Sequence, residues 1–90
     1  MNQVVKILIS GRVQGVCFRA AAKKQADKLG IKGYAENLDN GSVEIKAIAD
    51  KALIDQLIDW SHKGSLFSVV KKVAVTYLNE NESFNQFSIK

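Results

Sequence analysis

Val4 to Ile9 is a short apolar run broken only by Lys6, with Val5, Ile7 and Ile9 on one face. Their spacing of two predicts a strand. The spacing then lengthens. From Arg19 to Leu29, Ala22, Ala26 and Leu29 recur at helical spacing, with Lys23, Lys24, Asp27 and Lys28 on the wet side; Gly30 follows as a natural helix stop. Two further strand patterns, Ile31 to Leu38 and Ser42 to Ala49, flank Asp39-Asn40-Gly41. Asn-Gly is a strong hairpin signal because both residues tolerate positive φ. In the second arm Val43, Ile45 and Ala47 alternate with Ser42, Glu44 and Lys46, one face dry and one wet.

Asp50 stands where a helix N-cap belongs. The helix it predicts runs from Lys51 to about His62, with Leu53, Ile54, Leu57, Ile58 and Trp60 as its apolar stripe and Gly64 as its end. Val69 to Leu78 reads as a fourth strand and Phe84 to Ile89 as a short fifth. The order is strand, helix, strand, strand, helix, strand, plus a C-terminal tail strand. That is the split βαβ pattern of ferredoxin-like α+β folds, an antiparallel sheet with both helices on one face.

Ninety residues, 47% of them hydrophobic, predict one domain over 1–90 with one small core. A net charge of +4 favours anionic partners: phosphate compounds, nucleic acid or a membrane surface. A merely solvated basic surface fits it equally well. The single cysteine, Cys17, excludes an intramolecular disulfide and a multi-cysteine zinc site. It suits a reducing, cytoplasmic setting. The first residues lack the apolar run of a signal peptide, and no apolar run approaches the roughly 18 residues that span a bilayer.

Two segments carry candidate chemistry. In Gly11-Arg12-Val13-Gln14-Gly15-Val16-Cys17-Phe18-Arg19 a strand passes through a glycine-bearing loop into a helix. Gly15 allows sharp backbone turns, and successive N–H groups from Gly15 to Arg19 can form a nest for an anion. Arg19 opens the helix, where the dipole adds to its charge, and its planar fork can bond two phosphate oxygens. On spacing alone, an ordinary strand-to-helix connection ending in a surface arginine fits as well. In the second segment, Gly33-Tyr34-Ala35-Glu36-Asn37-Leu38-Asp39-Asn40-Gly41, Asn37 taken alone reads more simply as an asparagine bonding backbone groups beside the turn.

Together with Ser42-Val43-Glu44 these segments resemble the acylphosphatase family. Weaker likeness comes from Gly64, Val70, Val73 and Phe87-Ser88-Ile89, so the resemblance runs from about Lys6 to Ile89. It implies hydrolysis of carboxyl-phosphate anhydrides without metal or cofactor. By the same resemblance, Gln14, Gly15, Val16, Cys17, Phe18 and Arg19 cradle the phosphoryl group, with Arg19 as the essential phosphate-binding arginine. Asn37 is implied to orient the attacking water. Ser65-Leu66-Phe67-Ser68 departs from the family pattern beside the substrate entrance. Position 17 varies in the family, so Cys17 is acceptable there.

The chemistry is compatible with so few groups. A carboxylate leaving group, with an acid pKa near 4 on the scale of free carboxyls, departs without a proton. Positioning and electrostatics remain. An amide can orient water but cannot take its proton, so the rate should depend little on any enzyme base between about pH 6 and 8.

A cysteine-phosphatase pattern would place an arginine six residues after Cys17, where Lys23 stands. His62 reads as a surface residue near a helix end, and Trp60 and Phe67 as packing residues. Arg12 reads as a supporting or surface residue. An RNA-recognition module shares the element order but needs aromatics on its central strands. The first strand here has none, and Tyr34 is the only aromatic in the hairpin. Retention of both Arg19 and Asn37 also argues against a non-catalytic, regulatory relative of the family. The expected partners are small acyl phosphates or the phosphate anion, with no nucleic acid, no membrane and a monomeric state.

Overall fold

The computed structural model describes residues 2–90; Met1, the first residue of the expected 1–90 domain, lies outside the described residues. The chain runs β1 (Gln3–Arg12), α1 (Phe18–Leu29), β2 (Lys32–Asn37), β3 (Val43–Ala49), α2 (Lys51–Lys63), β4 (Val69–Leu78) and β5 (Phe87–Ile89). The sheet order is β4-β1-β3-β2-β5. Central β1 pairs antiparallel with β3 and β4, and its register sets Val5 opposite Ala47, Ile7 opposite Ile45 and Ile9 opposite Val43. All six are fully buried. Against this face pack Ala22, Ala26, Ile54 and Leu57, the inward sides of the two helices. The apolar run of β1, the alternating face of β3 and the helical stripes thus meet in one core, as their patterns predicted. Val75 and Tyr77 of the edge strand β4 remain exposed.

The sheet is mixed, not wholly antiparallel as expected. β5 lies parallel to β2, with Gly33 opposite Phe87 and Ala35 opposite Ile89. The reason is the route of the chain. β4 ends level with the start of β1, Leu78 opposite Val4, which is also the end where β2 begins. The chain crosses the sheet there and enters β5 running the same way as β2. The crossing segment 79–86 lies on the sheet face away from the helices. Lys46 of β3 holds Glu80 at 2.5 Å and Glu82 at 2.9 Å, and Phe84 meets Tyr34 of β2 edge-on at 6.0 Å between ring centroids. β5 consequently begins at Phe87, not Phe84.

The caps match their residue types. Asp50 accepts the Leu53 N–H at 3.1 Å, and Gly64 donates its N–H to the Trp60 carbonyl at 2.8 Å. The hairpin turn uses only one of the two residues expected to tolerate positive φ. Only Gly41 takes a positive φ, 92°, while Asn40 does not. Asn40 instead accepts the Ser42 N–H on its side chain at 3.0 Å, as an asparagine does in a wider turn.

Candidate active site

β1 continues past its apolar stretch to Arg12, and its pairing with β4 slips at a bulge between Ser10 and Gly11. The bulge turns the chain into the loop that joins β1 to α1. Two buried side chains, Val13 and Phe18, anchor the loop at its ends. Phe18 packs on Trp60 of α2 with ring centroids 5.2 Å apart. Between these anchors Gly15 and Cys17 both take left-handed conformations, with φ of 74° and 60°. For glycine that costs little; for cysteine it is a strained position of roughly 1–2 kcal/mol. The strain falls at the N-cap of α1, one residue before Arg19's helix begins.

The two helices begin differently. α2 has its carboxylate cap; α1 has no side-chain cap at Cys17 and no acidic residue in its first turn. The first N–H groups of a helix have no partner within it and carry partial positive charge. On α1 these donors are left for something from outside the helix.

Three side-chain links hold the loop in place. Gln14 donates from Nε2 to the Leu38 carbonyl at 2.8 Å and the Ser42 carbonyl at 2.9 Å, so it ties the loop to the hairpin that ends in Asn37. Ser65 donates from its hydroxyl to the Val16 carbonyl at 2.9 Å. Arg19 donates from Nη1 to the main-chain oxygen of Lys90, which brings the end of β5 to the helix start. Sequence reading found none of these, because the partners lie 24, 28, 49 and 71 residues apart. The hint for Gln14 was its place beside Gly15, but that reading pointed its role at an anion and not at the hairpin.

One cleft of about 390 Å³ is lined by Val13, Gly15, Cys17, Phe18, Arg19, Ala20, Asn37 and Ile89. It brings together Arg19 and Asn37, 18 positions apart in the chain, with the loop between them in space. The turn beside Asn37 is closed by other groups: Leu38 N–H to the Ser42 carbonyl at 2.8 Å, Gly41 N–H to the Leu38 carbonyl at 3.1 Å, and the Asn40 side chain. Of the loop residues expected to bind, Gly15, Cys17, Phe18 and Arg19 line this cleft. The Gln14 side chain is committed to the hairpin, and Val16 borders a second hollow that shares Gly15, Cys17 and Ala20 with the cleft. His62 is exposed in the last turn of α2. No helix of the described residues is long and apolar enough to cross a membrane.

Fold and cleft together define a ferredoxin-like α+β sandwich whose β1–α1 loop presents uncapped helix N–H groups, an arginine and a facing asparagine to one cleft. The chain belongs to the acylphosphatase family, whose model matches residues 5–89. It is 44% identical to an acylphosphatase of Shewanella amazonensis over 94% of this chain and 93% of the other. To that of Halorhodospira halophila it is 52% identical over 81% and 79% of the two chains. The crystal structure of acylphosphatase from Bacillus subtilis superposes with a TM-score of 0.93 at 37% identity, covering 100% of this chain and 99% of that one.

Proposed function

We propose that this protein hydrolyses acyl phosphates to a carboxylate and inorganic phosphate, acting as one domain without metal or cofactor. The observation that carries the residue roles is the convergence of the uncapped start of α1, Arg19 and Asn37 on one cleft. The phosphoryl oxygens sit against the loop N–H groups and the Arg19 guanidinium, which is already held at the helix start by the Lys90 oxygen. Asn37 stands across the cleft and orients a water. The water oxygen bonds to phosphorus as the bond from phosphorus to the carboxylate oxygen breaks. The carboxylate leaves with the electron pair, and the water's proton passes to a phosphate oxygen or to solvent. Gln14 contributes by its backbone and by fixing the distance between loop and hairpin. The substrates are small acyl phosphates, and the working state is a cytoplasmic monomer.

The test is hydrolysis of acetyl phosphate by the purified chain beside Arg19→Ala and Asn37→Ala, with chelator present. Each variant should lose about 100-fold or more in kcat, the scale seen when a donor to developing charge is removed, while circular dichroism shows both folded. Full turnover in either folded variant overturns that residue's role.

A further inference from the structure

Charge is unevenly spread along this chain. Residues 1–26 and 60–79 carry eight of the 13 lysines and arginines and none of the nine aspartates and glutamates. The two stretches are distant in sequence, but the fold sets them side by side. β4 pairs with β1 from Val4 to Arg12, with Arg12 opposite Val69. Phe18 packs on Trp60, and the Ser65 hydroxyl bonds the Val16 carbonyl. The side of the molecule built from these stretches thus holds positive side chains without a carboxylate of its own. Lys23 reaches outside it to Asp27. Arg12, Lys24, Lys63, Lys71 and Lys72 are exposed and form no ion pair among the described residues.

Within this field stands an apolar turn. Leu66 is 88% exposed, Phe67 72% and Val69 51%, the three most exposed large apolar side chains of the described residues. Arg12 and Lys24 border the same hollow as Leu66 and Phe67. Lys63 ends α2 just before the turn, and Lys71 follows Val69 in β4. The turn is held in shape. Ser68 donates to the Ser65 carbonyl from both its N–H, at 3.0 Å, and its hydroxyl, at 2.8 Å. Leu66 and Phe67 are thereby presented outward, away from the core that could have buried them. Neighbouring exposed apolar side chains ringed by positive charge mark an interaction surface.

We propose that this turn docks the protein on an anionic lipid surface. Leu66 and Phe67 enter the headgroup region, while Arg12, Lys24, Lys63 and Lys71 face the negative charges of the lipids. Charge and apolarity together select the occupant. Unpaired cations spread over several elements call for an extended negative surface, not a single ion. The apolar tip calls for a partner with apolar depth. A nucleic acid offers the first without the second: a base can stack on Phe67 but gains little from Leu66 or Val69. Either signal alone gives weak, reversible binding to a membrane, and the two add. This departs from the expectation of no membrane, which rested on the lack of a spanning run. No helix of the described residues is long and apolar enough to cross, but lying on a surface asks only for exposed apolar side chains in a cationic field. The docking is independent of the roles of Arg19 and Asn37.

The experiment is sedimentation of the purified chain with vesicles of phosphatidylcholine, with and without phosphatidylserine, at low and at high salt. Beside it run Leu66→Ala/Phe67→Ala and Lys63→Gln/Lys71→Gln. The parent should bind only the vesicles that contain phosphatidylserine, and high salt should release it. The charge variant should bind about 20-fold more weakly, the product of two charges near an anionic surface. The apolar variant should bind about 10-fold more weakly. All four side chains are exposed, and circular dichroism checks that both variants are folded. In Phe67→Trp the added indole emission should shift to the blue on binding and be quenched by lipids brominated on their acyl chains. Failure of the parent to bind the anionic vesicles at low salt overturns the docking. Binding that survives unchanged in the apolar variant overturns it too, since charge alone then collects the vesicles. Tighter binding of a single-stranded oligonucleotide than of the anionic vesicles would assign the cationic side to nucleic acid and overturn the lipid reading.

Discussion

At the scale of single residues, the site depends on groups that do no chemistry. Gln14 is the strongest case. Its side-chain amide makes two part-buried bonds, to the Leu38 and Ser42 carbonyls; each carbonyl also accepts a backbone N–H of the turn, so removing the amide loses two bonds without leaving either carbonyl unpaired. Gln14→Ala should cost about 1–3 kcal/mol of stability in urea denaturation. It should also lower kcat by about 10-fold, because a misplacement of about 1 Å between arginine and asparagine is enough to cost that much. Equal loss of stability with no loss of kcat would make the tie purely structural. Cys17 is the opposite case. It is exposed and caps nothing with its side chain, so its thiol is idle and only its backbone conformation serves the loop. The motif around Gly15 and Arg19 was legible in the sequence as a local pattern. The left-handed turn at Cys17 was not, because nothing about cysteine signals that conformation.

At the scale of elements, strand pairing decides what is tolerated. Gly33 of β2 has φ 148°, and a Cβ there would stand 1.8 Å from the Lys46 carbonyl of β3. Gly33→Ala must push β2 and β3 apart, and the loss should exceed about 3 kcal/mol, in the range reserved for severe backbone conflict. Gly15 makes the useful contrast. Nothing lies within 4 Å of a Cβ there, so Gly15→Ala should cost only the left-handed strain, roughly 1–2 kcal/mol. Thermal or urea melts of the two variants side by side separate the cases, and equal losses would mean the sheet relaxes around Gly33. The elements themselves were readable because their apolar patterns are clean: a short apolar run in β1, a period of two in β3 and one near 3.6 in both helices. Their ends were less so. β5 was expected from Phe84, whose ring proves to serve the crossing segment by packing on Tyr34.

For the whole molecule, the crossing segment 79–86 closes the back of the sheet through two titratable groups. Lys46 is held above its usual range, first by its hydrogen bonds to Glu80 and Glu82 and against some opposing desolvation. The Tyr34 phenol is pushed up to about 12, first by burial and then by its hydrogen bond to Glu44 and the charge there. Both folded values lie above the unfolded ones, so the folded state keeps protons that the unfolded state gives up. The stability they contribute is complete below about pH 10 and is lost as pH rises through the folded values. Urea midpoints should therefore fall steeply between about pH 10 and 12, and the fall should flatten in a Tyr34→Phe, Lys46→Met variant. A parent midpoint that stays level to pH 12 would show that the strap is not coupled to these groups.

The sequence by itself determined the element order, the dry faces of β1, β3 and the two helices, and the glycine-bearing segment that joins β1 to α1, because all of these follow from local patterning and from residue types a few positions apart. Only the tertiary structure decided which distant groups meet: Arg19 with the end of β5, Gln14 with the hairpin, Ser65 with Val16. It also set β5 parallel to β2 by the route of the chain around the sheet. The physical reason is range. Backbone preference and amphipathic patterning act over one turn or one pleat, whereas a cleft is formed by segments whose neighbourhood exists only once the core has brought them together.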